Sequence, residues 1–147
     1  MDCKMVKKVF RVVGIKGNGP YANFGVEVPK LAQQLQLRKG EIEYHSGTEI
    51  ALFEPKRDES HLEGQYFVGF TVNEAGQSVP AGMDYIETAQ SYVTTRGNIN
   101  HLSNLHNQLL QWADEQGFKR DLEAQIVETY HPIENGEEVE IYLPILN

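Results

Sequence analysis

Gln125-Ile-Val-Glu-Thr-Tyr-His-Pro-Ile-Glu-Asn-Gly-Glu-Glu-Val-Glu-Ile-Tyr-Leu-Pro-Ile-Leu146 is the stretch whose reading decides the fold. Its first arm, Gln125 to Tyr130, is rich in β-branched and aromatic residues and stops at His131-Pro132, where proline removes a ladder donor. Glu134-Asn135-Gly136-Glu137 reads as the turn, because Asn-Gly supplies the two positive φ angles of a tight hairpin. In the second arm Val139, Ile141, Leu143 and Ile145 point one way, and Glu138, Glu140, Tyr142 and Pro144 the other. Glu128 is the odd residue, a carboxylate on the face shared by Ile126 and Tyr130. One register of the hairpin adds Glu140 and Tyr142 to that face, and the sequence does not choose the register. Two carboxylates flanked by tyrosines suit a cationic or polar aromatic guest. By pattern alone a solvated face is the commoner case.

The chain has 147 residues, enough for one domain with a real interior. Hydrophobic content of 40% with 23% charged residues is that of an ordinary globular protein. The net charge of −8 argues against nucleic acid or an anionic membrane as partner, because phosphate binding needs a basic surface. Cys3 is the only cysteine, which excludes an internal disulfide and a thiolate zinc cluster. With no signal peptide and no long apolar run, a cytoplasmic protein is expected. His101 and His106 lack the spacing that puts two ligands on one helical face, so the histidines read as surface or capping residues and no metal is expected. No phosphate loop or nucleophile signature is present, and neither a cofactor nor a catalytic residue is assigned.

Upstream, Lys8 to Lys16 alternates as a first strand, broken by Gly17-Asn18-Gly19-Pro20. Pro20 to Phe24 forms a loop with two aromatics. Val28, Leu31, Ala32 and Leu35 recur at helical spacing, with Pro29 in the first turn. Strands follow over Glu49 to Pro55 and Gln65 to Asn73. After a connector of small residues, Glu74 to Gly82, the order repeats. Met83 to Thr95 is a strand long enough to need a bend or bulge. Asn98 or Asn100 caps a helix striped by Leu102, Leu105, Leu109 and Trp112, and Gly117 ends it. The hairpin closes the second pass. The fold class is therefore α+β, a tandem βαββ duplication with pseudo-twofold symmetry. Antiparallel sheets carry helices on one side and enclose a central ligand cleft. One domain fills residues 1–147, with halves 1–73 and 83–147. Laying Ile50 to Pro55 over Ile126 to Pro132 places Leu52 where Glu128 stands.

The ending Val139-Glu-Ile-Tyr-Leu-Pro-Ile, the upstream Val127-Glu-Thr-Tyr, Leu109-Leu-Gln-Trp112 and Val79-Pro-Ala-Gly82 resemble the GyrI-like, or effector-binding, domain. That domain is the ligand-sensing part of bacterial multidrug-responsive transcription regulators of the MerR and AraC types. The resemblance covers nearly the full chain and is strongest in its second half. It implies a pocket whose floor carries a glutamate among aromatics, a position matched by Glu128 beside Tyr130. It assigns Glu140 and Tyr142 on the last strand to the same pocket, and Pro20, Tyr21 and Phe24 to its border. Tyr66, Tyr92 and Trp112 are further candidate walls, although each is more simply core.

A carboxylate enclosed by aromatics either protonates or waits for a cation, and aromatic faces add cation–π attraction. The expected function is thus binding of drug-like, amphipathic or cationic aromatic small molecules. No helix-turn-helix is expected in the chain, so no direct contact with DNA. Two alternatives stay open. One is a hydrolase using Glu128 as general base on reactive small molecules. The other is a protein-binding module like the gyrase-inhibitor members, and a protein partner or homodimer is left open with it. A burial cost of about 3–5 kcal/mol is expected for Trp112→Ala if the ring is enclosed.

Overall fold

The structure is a computed structural model that describes residues 2–74 and 78–146. Its elements run β1 (Lys4–Pro20), α1 (Phe24–Gln36), β2 (His45–Phe53), β3 (Glu63–Val72), β4 (Asp84–Asn98), α2 (Leu102–Glu115), β5 (Ile126–Ile133) and β6 (Gly136–Pro144). This is strand–helix–strand–strand passed through twice, as the alternating and helical stripes predict. Residues 75–77 of the expected connector lie outside the described residues.

All six strands belong to one antiparallel sheet in the order β1-β3-β2-β5-β6-β4, and β1 pairs with β4 to close it into a barrel. Exchanging the strands of the two halves leaves that order unchanged. The expected pair of sheets is therefore a single closed one, joined at β2–β5 and at β1–β4. Alternation along each strand sends one set of side chains into the barrel and the other outward. Phe10, Val12, Ile50, Leu52, Phe67, Tyr92, Val127 and Tyr142 fill the interior. Outside, α1 covers a cluster including Val13, Ala51, Val68 and Phe70. On its own side α2 covers Val93, Val139, Ile141 and Leu143.

Where β1 meets β3, Gly14 pairs with Gly69. A Cβ on Gly14 would collide with the Val68 carbonyl, so the strands approach this closely only because neither residue has a side chain.

Several boundaries differ from the sequence expectation. β1 continues through Gly17-Asn18-Gly19 to Pro20, because pairing with β3 holds it to Glu63. β5 likewise runs past Pro132, which pairs with Glu137; beyond Tyr130 it has lost β2 as a neighbour, and the missing donor is tolerated there. Ile133 pairs with Gly136, so the turn is Glu134-Asn135, one residue earlier than expected. Only Gly136 there has positive φ (149°), not Asn135. β4 needs no bulge: it keeps one register against β1 and one against β6.

α1 starts at Phe24, which places Pro29 inside the helix rather than in its first turn. The residue one turn earlier is Gly25, whose carbonyl receives no amide from proline. α2 ends as expected: Gly117 takes φ of 80°, and Phe118 N donates to the Ala113 carbonyl. The Asn98 side chain accepts from Asn100 N at 2.9 Å and caps the short 3-10 turn Ile99–His101.

Leu109, on the inner face of α2, is fully buried, whereas Trp112 is half-buried and packs against Phe118 with the rings tilted by 35°. Leu109→Ala should cost about 2–5 kcal/mol, and Trp112→Ala should cost less than the full burial value because its ring is partly solvated already. Urea denaturation of both variants checks the order.

Candidate functional site

A cavity of about 580 Å³ lies outside the barrel, between α1 and the start of α2, over strands β2 and β5. Face alternation builds its floor: Glu49, Ala51 and Phe53 project outward from β2, and Glu128 and Tyr130 from β5. Register fixes their arrangement, with Ala51 opposite Glu128 and Glu49 opposite Tyr130. One wall is the α1 face of Phe24, Val28, Pro29 and Ala32, rimmed by Gln33 and Gln36. The opposite wall is Ile99 and Leu102, and Glu137 closes the rim from β6.

Glu128 is 6% exposed, which for a carboxylate demands partners. Tyr130 Oη donates to its Oε1 at 2.7 Å. His106 Nε2, on α2, lies 2.7 Å from Oε2. An ionised carboxylate can only accept, so with Glu128 charged the hydrogen sits on His106 Nε2. Burial, with the charge and acceptance of Glu128 added, pushes the Tyr130 phenol well above its usual pKa. Tyr130 thus stays a donor. Glu49 differs. Burial, then the neighbouring Glu137, push its carboxyl above the ordinary range, and Lys39 pulls the other way.

The sequence candidates separate by face. Glu128, Tyr130 and Phe24 line the cavity. Glu140 and Tyr142 do not: Thr129 pairs with Glu140 and Val127 with Tyr142, so both point away from the Glu128 face. They border a smaller cavity of about 260 Å³ at a mouth of the barrel, together with Lys8, Thr48, Thr71, Thr129 and His131. There Glu140 accepts from Tyr142 Oη at 3.1 Å and lies 2.9 Å from His131 Nε2.

Pro20 ends β1 against Glu63, and Tyr21 donates to the Glu54 carbonyl at 2.9 Å while packing on Phe24. Both lie behind the cavity wall. Tyr66 is buried beneath α1 and donates to Glu27 at 3.2 Å. Tyr92 stands inside the barrel against Phe10 and Tyr142. Trp112 lies on the α2 side, away from the cavity lining. Leu52 is not the counterpart of Glu128, because it points into the barrel while Ala51 faces Glu128.

His106, Glu49 and Glu137 escaped the sequence reading. Glu49 sits two residues from Ala51 on an alternating strand, which was the available signal. Nothing local marks His106. Among the described residues no three His, Cys, Asp or Glu side chains converge to hold a metal, and no helix is long and apolar enough to cross a membrane.

A mostly apolar, open-sided cavity above a closed antiparallel sheet, with one buried carboxylate in its floor, suits a small-molecule-binding domain. Residues 5–146 match the GyrI-like small molecule binding domain, and the chain belongs to that family. No curated protein matches the sequence. Among solved structures it resembles SAV2435 bound to tetraphenylphosphonium, with 13% identity and a TM-score of 0.74 over 100% of this chain and 95% of that one. It also resembles the EcmrR C-terminal domain, with 16% identity and a TM-score of 0.67 over 99% and 98%. A hydrolase from Listeria innocua shares the fold at 12% identity and a TM-score of 0.63 over 98% and 91%.

The raised pKa of Glu49 has a signed consequence. An acid whose folded pKa exceeds its unfolded one costs stability above the folded value. That cost fades as pH falls through the window down to the ordinary carboxylate value. Glu49→Gln should therefore raise the melting temperature at about pH 7 and change it little at about pH 3, below the carboxylate range. Thermal melts of the two proteins across that range test it.

Proposed function

We propose that the chain binds amphipathic or cationic aromatic molecules in the cavity between α1 and α2, and that Glu128 reads their charge. The observation that carries this reading is the Glu128 carboxylate, buried at the floor of a cavity of about 580 Å³ whose remaining walls are mostly apolar. A buried carboxylate attracts a cation far more strongly than an exposed one, because little water screens the pair. Phe24, Phe53 and Tyr130 offer ring faces for an aromatic body. The cavity falls within the size range of drug-sized ligand sites, roughly 300–1,000 Å³. That favours a small guest over recognition of a protein by the outer surface. The resemblance to SAV2435, a protein seen with a lipophilic cation, is consistent with the same class. Such a domain serves as the sensing unit of a multidrug-responsive regulator.

Hydrolysis of a reactive small molecule is the second reading. It is favoured by the 2.7 Å contact between Glu128 and His106, in which a carboxylate orients an imidazole. The Listeria innocua hydrolase shares the fold. Turnover of an electrophile, absent in Glu128→Gln, would select it over plain binding.

Glu128→Gln keeps the shape of the floor and removes its charge. Affinity for tetraphenylphosphonium should fall by about 1.5–3 kcal/mol, the range of a charged contact. A neutral aromatic of similar bulk, tetraphenylmethane solubilised in mild detergent, should change little. Calorimetric titration of both proteins decides it. Equal losses for the two probes, or none for either, would remove Glu128 from the role of charge reader.

A further inference from the structure

Three carboxylates line the cavity, Glu49, Glu128 and Glu137, and no lysine or arginine does. Their surroundings differ in a way that one cationic guest does not satisfy. Glu128 already takes Tyr130 Oη on one oxygen and His106 Nε2 beside the other. The half-buried Glu49 carboxylate has no hydrogen bond or ion pair among the described residues. Lys39 acts on it only at longer range, and Glu137 opposes its ionisation.

Both acids leave the same face of the β2–β5 seam. Glu49 stands opposite Tyr130, and Glu128 is two residues along β5 from that pair. Diagonal neighbours of this kind have anchor atoms about 7 Å apart. Between them lies the floor of Ala51 and Tyr130, under the α1 wall of Phe24 and Val28.

From this juxtaposition we infer that the cavity reads two positive charges, Glu49 being the second charge-reading residue beside Glu128. Its preferred guests are compact aromatic or apolar molecules carrying two cationic nitrogens. The inference rests on the reading of the cavity as a cation site. It goes beyond that reading in the number and placement of the charges. A monocation held at Glu128 leaves Glu49 ionised against apolar walls, whereas a dication of matching span compensates both.

Two probes with one aromatic body separate the cases: para-xylylene bis(trimethylammonium) and benzyltrimethylammonium, titrated calorimetrically at about pH 8, above the carboxylate range. The full chain should bind the dication at least about tenfold more tightly than the monocation. In Glu49→Gln that ratio should shrink to within about threefold, with most of the loss on the dication. In Glu128→Gln both probes should weaken. A melting curve for each variant confirms that it is folded.

An unchanged ratio in Glu49→Gln, or equal losses of both probes there, overturns the inference. Tetraphenylphosphonium separates this failure from failure of the underlying reading. If that ion binds but the dication gains nothing over the monocation, only the second subsite falls. If that ion does not bind either, the cation site falls and the second subsite with it.

Discussion

The antiparallel seam between β2 and β5 is the constraint on which the rest depends. Five residue pairs, from Glu49–Tyr130 to Phe53–Ile126, join one half of the chain to the other. With β1–β4 pairing on the far side, the seam closes the sheet, and closure removes the exposed edges of an open one. The same five pairs decide what the cavity floor is made of. A slip of one residue would turn Glu128 and Tyr130 into the barrel and bring Val127 and Thr129 out. The hydrophobic fill of the interior resists that slip, because Val127 would leave its buried place beside Leu52 and the Glu128 carboxylate would turn in towards Ile50 and Leu52.

Burying a carboxylate beside this seam is costly unless its oxygens are served. The fold serves Glu128 from two directions, with Tyr130 on its own strand and His106 on the helix that packs over β4 and β6. This also explains why a pocket acid is compatible with a stable domain before any guest arrives. A neutral imidazole donating Nε2–H to the carboxylate leaves the pair with one net negative charge. Around that group the walls come mostly from α1, whose Gly25 and Pro29 lie on the cavity side.

The barrel mouth repeats that arrangement on the other face of the sheet. Glu140, His131, Tyr142 and Thr129 satisfy one another, and Lys8 sits over the rings of Phe10 and Tyr142. Burial, with Glu140 adjacent, raises the Tyr142 phenol and keeps it a donor. Acid and tyrosine alternate on β5 and on β6 alike, yet the two sets serve different sides of one sheet.

The order of elements, the α2 stripe with its Gly117 stop, the alternation of the last strand, and the anomaly of Glu128 beside Tyr130 were all legible in the sequence. Each is a local pattern of period 2 or 3.6, or a backbone preference of one residue. Family resemblance added the pocket. What only the tertiary structure decided was which faces meet. Hairpin register sent Glu140 and Tyr142 away from Glu128, and the turn moved because Ile133 pairs with Gly136. Strands also outlasted their breakers where neighbours held them, as at Gly17 to Pro20 and at Pro132. His106 and Glu49 reached the site through helix packing and strand pairing between segments distant in the chain, and no spacing within a single element encodes such contacts.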